Sequence, residues 1–219
     1  MPFLTPSLFS RRRLVLTGAA ATFAGAWPAA KLGAQSKGQV RTPRQTMGPF
    51  YPLDWEGDAD GDLVHVRGAA AMAQGVITYL RGRVLDARGT AVPEAVVKIW
   101  QCDAFGRYRH PRDRQNGRDE GFQGRGRVVS GPDGSYGFRT IRAVAYPGRT
   151  PHIHAAIVAP GRQPLVTQLY VDGELLNERD GVFNGLQNLR EQEAVLLRLE
   201  PADRIEKGAF LANRDIVLG

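Results

Sequence analysis

Residues 146–154 read YPGRTPHIH, and these few positions hold a tyrosine, an arginine and two of the chain's four histidines. The stretch PHIHAAIV has the character of a strand, with Pro151 placed where a strand tolerates proline, at its first residue. Side chains at i and i+2 of a strand leave the same face, about 7 Å apart along the backbone. His152 and His154 can therefore converge on one ion while Ile153 turns to the opposite face. Taken alone, an H-x-H pair equally describes two solvated or core-bonded histidines.

The surroundings narrow the chemistry. A zinc site needs further Cys, His or carboxylate partners, and the chain has neither a cysteine pair nor an H-E-x-x-H. A ferrous facial triad needs a carboxylate beside the histidines, and the PHIH segment has none. Tyrosines stand nearby instead: Tyr146 in the same segment and Tyr108 upstream in FGRYRH. Phenolate is a hard anionic oxygen donor that suits ferric iron, and a bound metal can deprotonate a phenol whose ordinary pKa is about 10. The chain has six tyrosines, and pattern alone does not choose two. Tyr136 follows a turn in period-2 register and reads as core; Tyr79 and Tyr170 lie in strand-like runs; Tyr51 belongs to a Gly/Pro-rich arm and can line a pocket.

The elements that must position these groups read as β throughout. TYLRGRVLDARG alternates apolar and polar residues and ends in a turn at residues 86–89, and AVPEAVVKIWQCD resumes with a β-branched run. GRVVSGPDGSYGFRTI predicts two strands around a hairpin-like turn at Pro132, Asp133 and Gly134. PHIHAAIVAPG and LVTQLYVDG continue the pattern, GLQNLREQEAVLLRLEP suits a helical turn or a strand, and DIVLG closes the chain as a strand. Short strands with this punctuation predict an all-β sandwich, residues 78–219, preceded by an irregular arm over residues 35–77.

Residues 1–34 stand apart. SRRR precedes an apolar run too short to span a bilayer comfortably, and no acid occurs before Asp54. The pattern predicts a twin-arginine export signal, hence a periplasmic protein with no stable membrane span. The formal charge of +7 (29 minus 22) falls to +3 (25 minus 22) once the four basic residues of this segment are removed. No basic stripe remains to argue for nucleic acid. Cys102 is the sole cysteine, so an internal disulfide is impossible, and it reads as a small core residue.

The blocks TPRQTMGPFYP, VKIWQCDAFGRYRHPRD, FQGRGRVVSGPDGSYGFRTI, AYPGRTPHIH, TQLYVDG and RDIVLG together resemble the intradiol ring-cleavage dioxygenases, especially the short protocatechuate 3,4-dioxygenase β-like members. The resemblance implies a prealbumin-like β-sandwich and a non-haem Fe(III) centre whose ligands map onto Tyr108, Tyr146, His152 and His154. It implies an active-site arginine at Arg149 and a supporting glutamine at Gln168. The implied reaction opens a catechol-type ring between its hydroxyl-bearing carbons with O2, giving a cis,cis-muconate-type diacid, with Tyr146 receiving a substrate proton. Partners implied are the diol and O2, with assembly either as a homo-oligomer or with an α-like partner chain.

Three departures bear on substrate choice: a short tyrosine-to-histidine spacing, Ala143 where the family has proline, and Cys102 in WQCDAFGRY where many relatives read WQANAAGRY. Arg107, Tyr51 and Gln123 are the residues expected at the pocket wall. The same strand grammar also fits a non-catalytic prealbumin-like carrier, and the H-x-H an exported copper or zinc protein. Colour separates these readings, since only the ferric phenolate centre is red-brown.

Overall fold

Alternation of buried and exposed residues builds two facing sheets in the computed structural model, which describes residues 39–219. The export expectation for residues 1–34 lies outside the described residues. Ten strands follow in chain order: β1 Ile77–Asp86, β2 Val96–Trp100, β3 Arg125–Val129, β4 Ser135–Ile141, β5 His152–Val158, β6 Leu165–Val171, β7 Leu196–Leu197, β8 Leu199–Pro201, β9 Phe210–Asn213 and β10 Ile216–Leu218. A 3-10 helix, Leu175–Arg179, and one helical turn, Leu189–Glu193, interrupt them after β6. The ambiguous segment, residues 185–201, thus holds both the helical turn and strands β7 and β8.

In the first sheet β1 is central. It pairs antiparallel with β4 on one side, and parallel with β9 and then β10 on the other, with β8 beyond β9. The second sheet runs β3-β2-β5-β6-β7, so β5 is its middle strand. Leu80, Val84 and Phe138 of the first sheet meet Val97, Ile99, Ile153, Ala155, Ile157 and Leu169 of the second in one buried core. Each such aliphatic side chain contributes about 1.5–3 kcal/mol on burial.

The turn at Pro132, Asp133 and Gly134 forms, with Gly131 N–H donating to Ser135 O at 2.9 Å. It does not close a hairpin: β3 pairs with β2 and β4 with β1, so this turn carries the chain from one sheet to the other. A tight turn fixes direction locally, whereas β4 gains a ladder from Ile77↔Ile141 to Arg83↔Ser135 by joining β1.

Residues 39–76 form the expected irregular arm. It is tied down at both sheets: Thr42 N–H donates to Val217 O (3.0 Å), Val217 N–H to Thr42 Oγ1 (2.9 Å), and Gln45 N–H to Val166 O (2.8 Å).

Candidate metal centre

The period-2 alternation of β5 sends Ile153, Ala155 and Ile157 into the core between the sheets, and His152, His154 and Ala156 to the sheet's outer face. That outer face is not solvent. Both histidines are buried, because the arm and the loop after β2 fold over them. Register sets their neighbours: His154 lies opposite Trp100 on β2 and Gln168 on β6, and His152 opposite Tyr170. The Trp100 ring stacks on His154 with centroids 4.8 Å apart and planes at 5°. On the arm, the backbone of Gly48 presses against His154; at φ +72° a Cβ there would stand 3.0 Å from Cε1.

The two imidazoles point their Nε2 atoms at one another, 3.2 Å apart. His152 Nδ1 is 2.6 Å from Thr150 O, which fixes the proton on Nδ1 and leaves Nε2 as a lone-pair donor. Burial, followed by the Arg149 charge, pushes His152 down to about 4. Burial, His152 and Arg149 hold His154 well below the ordinary imidazole value. Both rings are neutral at pH 7, as metal donors must be.

Two tyrosines complete the cluster. Tyr108 comes from the loop after β2, where Asp103 Oδ1 accepts from Phe105 N–H and Arg107 N–H and Asp103 Oδ2 from Asp119 N–H. Tyr108 N–H donates to Asp113 Oδ2 at 2.7 Å, and its ring stacks on Phe50 at 4.6 Å. Tyr146 heads a four-residue turn with Pro147 second and Gly148 third at φ +81°, closed by Arg149 N–H to Tyr146 O at 2.9 Å; this is the pattern of a type II turn. Ring centroids are 5.5 Å apart for Tyr108 and Tyr146, 5.6 Å for Tyr146 and His152, and 6.1 Å for Tyr108 and His154.

The Tyr108 hydroxyl is buried and makes no hydrogen bond of good geometry, its phenol neighbour Tyr146 being the one side chain that approaches as a partner. Burial raises its pKa well above the ordinary phenol value, and burial also raises that of Tyr146 despite the opposing Arg149 charge. An under-satisfied phenol oxygen beside two buried imidazoles, of which His154 leaves Nδ1 without a partner, is a costly arrangement in a metal-free interior. The same donor set fits a hard trivalent cation, which would take up the lone pairs and offset the desolvation of the phenolates. Tyr170 also lies near His152, but its hydroxyl is committed to Gln45 Oε1 at 2.6 Å. Tyr136 donates to Arg214 O and Tyr79 to Glu206, both away from the cluster. Among the described residues no group of three His, Cys, Asp or Glu gathers to hold a metal.

Arg149 and Gln168 join the same cluster. Arg149 Nη2 donates to Gln168 Oε1 at 2.5 Å, its Nη1 stands 3.5 Å from the Tyr146 hydroxyl, and its Nε donates to Asp180 at 2.8 Å. Burial disfavours the guanidinium charge, but the bond to Asp180, that residue's charge and the nearby Tyr146 and Tyr170 together outweigh it, and the group stays cationic. Gln168 Nε2 donates to Thr46 O at 2.9 Å, linking Arg149 to the arm.

Sequence reasoning missed Asp180, Thr150 and Gly48. Asp180 lies beyond two strands' worth of chain from Arg149, and no local pattern marks it as that residue's partner. Gly48 sits in GPF, where a glycine signals a turn without naming what the backbone will touch. Of the expected pocket-wall residues, Tyr51 packs edge-on against Trp100 at 5.0 Å, one ring removed from His154. Arg107 Nη1 instead bonds Gly117 O, and Gln123 bonds Asp60, Asp62 O and His65 O within the arm. Cys102 is buried, donates weakly to Val144 O, and is pushed up to about 12 by burial, so it is inert.

A cavity of about 150 Å³ opens on the cluster, lined by Tyr146, Gly148, Arg149, Thr150, Leu176, Arg179 and Asp180. A larger one, about 940 Å³, lies between the arm and the Leu189–Glu193 turn, beside Arg190 and Arg214, and touches none of the four donors. Chemistry rather than size selects the smaller.

Comparison with known proteins agrees in kind. Residues 47–195 match a family model described as dioxygenase. The chain is 33% identical to a protocatechuate 3,4-dioxygenase beta chain from Burkholderia cepacia, over 80% of this chain and 78% of that one. It is 33% identical to a hydroxyquinol 1,2-dioxygenase from Nocardioides simplex, over 65% of this chain and 51% of the relative, so it spans about half that protein's length. Among solved structures, the dioxygenase domain of a dioxygenase carbohydrate-binding protein fusion from Streptomyces sp. SirexAA-E superposes with a TM-score of 0.64 at 31% identity, covering 82% of this chain and 98% of that one.

Proposed function

The chain belongs to the intradiol ring-cleavage dioxygenases, and from that premise we propose that it opens a catechol-type ring between its two hydroxyl-bearing carbons, using O2 at an Fe(III) centre. In this reading Tyr108, Tyr146, His152 and His154 hold the iron, and the product is a cis,cis-muconate-type diacid. The observation that carries it is the meeting of a buried, under-satisfied phenol oxygen with two neutral imidazoles whose Nε2 atoms face each other, beside a second tyrosine that lines a cavity of about 150 Å³.

When bound, ferric iron supplies Lewis acidity toward a chelating diol and makes its ring reactive toward dioxygen. The protein's own groups do the rest. A diol must shed two protons: Tyr146, half-buried, lining the cavity and a phenolate only when it holds the metal, would receive one at its phenol oxygen, and the other would leave to solvent base. Tyr108, enclosed by Phe50 and His154, stays out of substrate reach. Arg149 presents a fixed cation to negative charge developing on the substrate, and Gln168 holds its Nη2 in place. Trp100, Phe50 and Tyr146 pack in one largely apolar cluster around the donors, which limits water there.

The cavity favours small diols. A volume of about 150 Å³ suffices for one benzene ring. Catechol, hydroxyquinol and protocatechuate all offer the same chelating pair, and oxygen uptake across such a panel ranks them. Purified full-length protein loaded with iron is expected to be red-brown, with uptake of one O2 per diol. A colourless, iron-free protein with no uptake would overturn the reading and favour the carrier.

Residues 1–34 direct twin-arginine export to the periplasm in this reading, tested by N-terminal sequencing of the form recovered from a periplasmic fraction; an intact Met1 counts against it. The chain assembles with copies of itself or with an α-like partner, and light scattering of the purified chain separates the two.

A further inference from the structure

Asp180 directly follows the 3-10 helix Leu175–Arg179, and its side chain is completely buried. Its two oxygens are divided between two tasks. Oδ1 accepts from Val182 N–H (2.9 Å) and Phe183 N–H (3.0 Å), which ties the carboxylate to its own turn. Oδ2 accepts from Arg149 Nε (2.8 Å) and Thr150 N–H (3.0 Å), which reaches across to the metal cluster. Asp180 is the only carboxylate paired with Arg149 among the described residues.

The guanidinium is planar, so anchoring Nε fixes where both Nη atoms point. With Nε on Asp180, Nη2 falls on Gln168 Oε1 and Nη1 faces the Tyr146 hydroxyl. Without that anchor the long side chain regains its rotamers, and Gln168 alone holds one corner of it. The helix that carries Asp180 is fixed in turn: Asn177 accepts from Thr150 Oγ1 at 2.7 Å and donates to Val171 O at 2.9 Å. The Thr150 carbonyl is also the group that orients His152.

We propose that Asp180 is a positioning residue for ring cleavage: it aims the Arg149 guanidinium at the Tyr146 side of the cavity, so that substrate charge is received there. This rests on the functional reading above. Asp180 borders the cavity, but both its oxygens are taken up by Arg149, the Thr150 N–H and its own turn, so it acts through Arg149 and the Thr150 backbone.

A double-mutant cycle tests it. Iron-loaded wild type, Asp180→Asn, Arg149→Ala and the double variant are compared for kcat/KM by oxygen uptake, for iron per chain, and for the Kd of phenol, a single-hydroxyl probe that cannot be cleaved, followed through the visible band. Misaiming a reactive-site group costs up to about 100-fold, so Asp180→Asn is expected to lose about 10- to 100-fold in kcat/KM while keeping its iron and colour. In the Arg149→Ala background the same change is expected to add nothing. Full multiplicative loss in that background, or wild-type kinetics for Asp180→Asn, would refute the role. Asp180→Glu, which keeps the charge but displaces it by one methylene, carries the same cycle should the asparagine variant fail to fold. An iron-loaded wild type that consumes no O2 would sink the functional reading instead, and the phenol Kd cycle would still report whether Asp180 acts through Arg149.

Discussion

The Tyr108 hydroxyl is the most telling single atom in the structure, since a buried polar group without a partner costs about 1–3 kcal/mol. That cost has a sign that can be read in the absence of iron. Iron-free Tyr108→Phe is expected to be as stable as iron-free wild type or more so, by roughly 1 kcal/mol, in urea unfolding. The iron-loaded variant is expected to lose the visible phenolate band and turnover together. Retention of colour and activity would show that Tyr108 is no ligand. Gly48 makes the complementary point. Its φ of +72° and the 3.0 Å approach of a would-be Cβ to His154 leave no room for alanine. Gly48→Ala is expected to cost about 1 kcal/mol or more and to lower iron per chain, measured by metal analysis after dialysis. Both residues lie in stretches that sequence reading covered, yet only Tyr108 was named there, on the strength of resemblance. A glycine's contact partner is a tertiary fact with no local signature.

At the level of elements, β5 and the arm divide the work. The strand supplies two donors through its alternation, and that much was legible from H-x-H and the β-branched residues around it. The arm supplies the roof, and its grip on β6 combines backbone and amide bonds at Val166, Thr167 and Gln168 with the Tyr170 hydroxyl, which donates to Gln45 Oε1. Removing that hydroxyl should loosen the roof more than the sheet. Tyr170→Phe is expected to cost about 1 kcal/mol and to speed amide exchange at residues 45–48 more than within β5. Equal exchange at the two places would mean that the arm is held by other bonds. The passage from β3 to β4 shows where local reading stops. PDG at residues 132–134 specifies a turn, and the turn is present; which sheet each flank joins depends on a ladder with β1, some fifty residues earlier in the chain. Long-range pairing of this kind leaves no mark in a window of ten residues.

Over the molecule as a whole, charge ties together segments far apart in sequence. Arg139 on β4 donates to Glu206 at 2.8 and 3.0 Å, Tyr79 on β1 donates to the same carboxylate at 2.8 Å, and Asp62 of the arm closes the group. These bonds hold Glu206 below the ordinary carboxylate value. Asp180 is likewise held low: burial pushes it up, but Arg149 and the N–H groups of Thr150 and Phe183 outweigh burial. The unfolded chain therefore takes up these protons first as pH falls through about 4. The stabilisation is fully present above that point and is lost as pH falls further, through the folded values. Urea midpoints of the iron-free protein should decline from about pH 6.5, where the unfolded imidazoles of His152 and His154 take up protons that the buried rings refuse, and decline further below about 4, and Arg139→Gln should flatten the lower part. An unchanged slope in that variant would place the acid sensitivity elsewhere. One further consequence follows from the strap that joins Thr42 to Val217. Synthesis proceeds from the N-terminus, and the residue that clamps one end of the roof, Val217, is made 175 residues after the Thr42 it holds. The pocket is thus a late product of assembly, so metal captured before that clamp closes would meet an unroofed and leakier cradle.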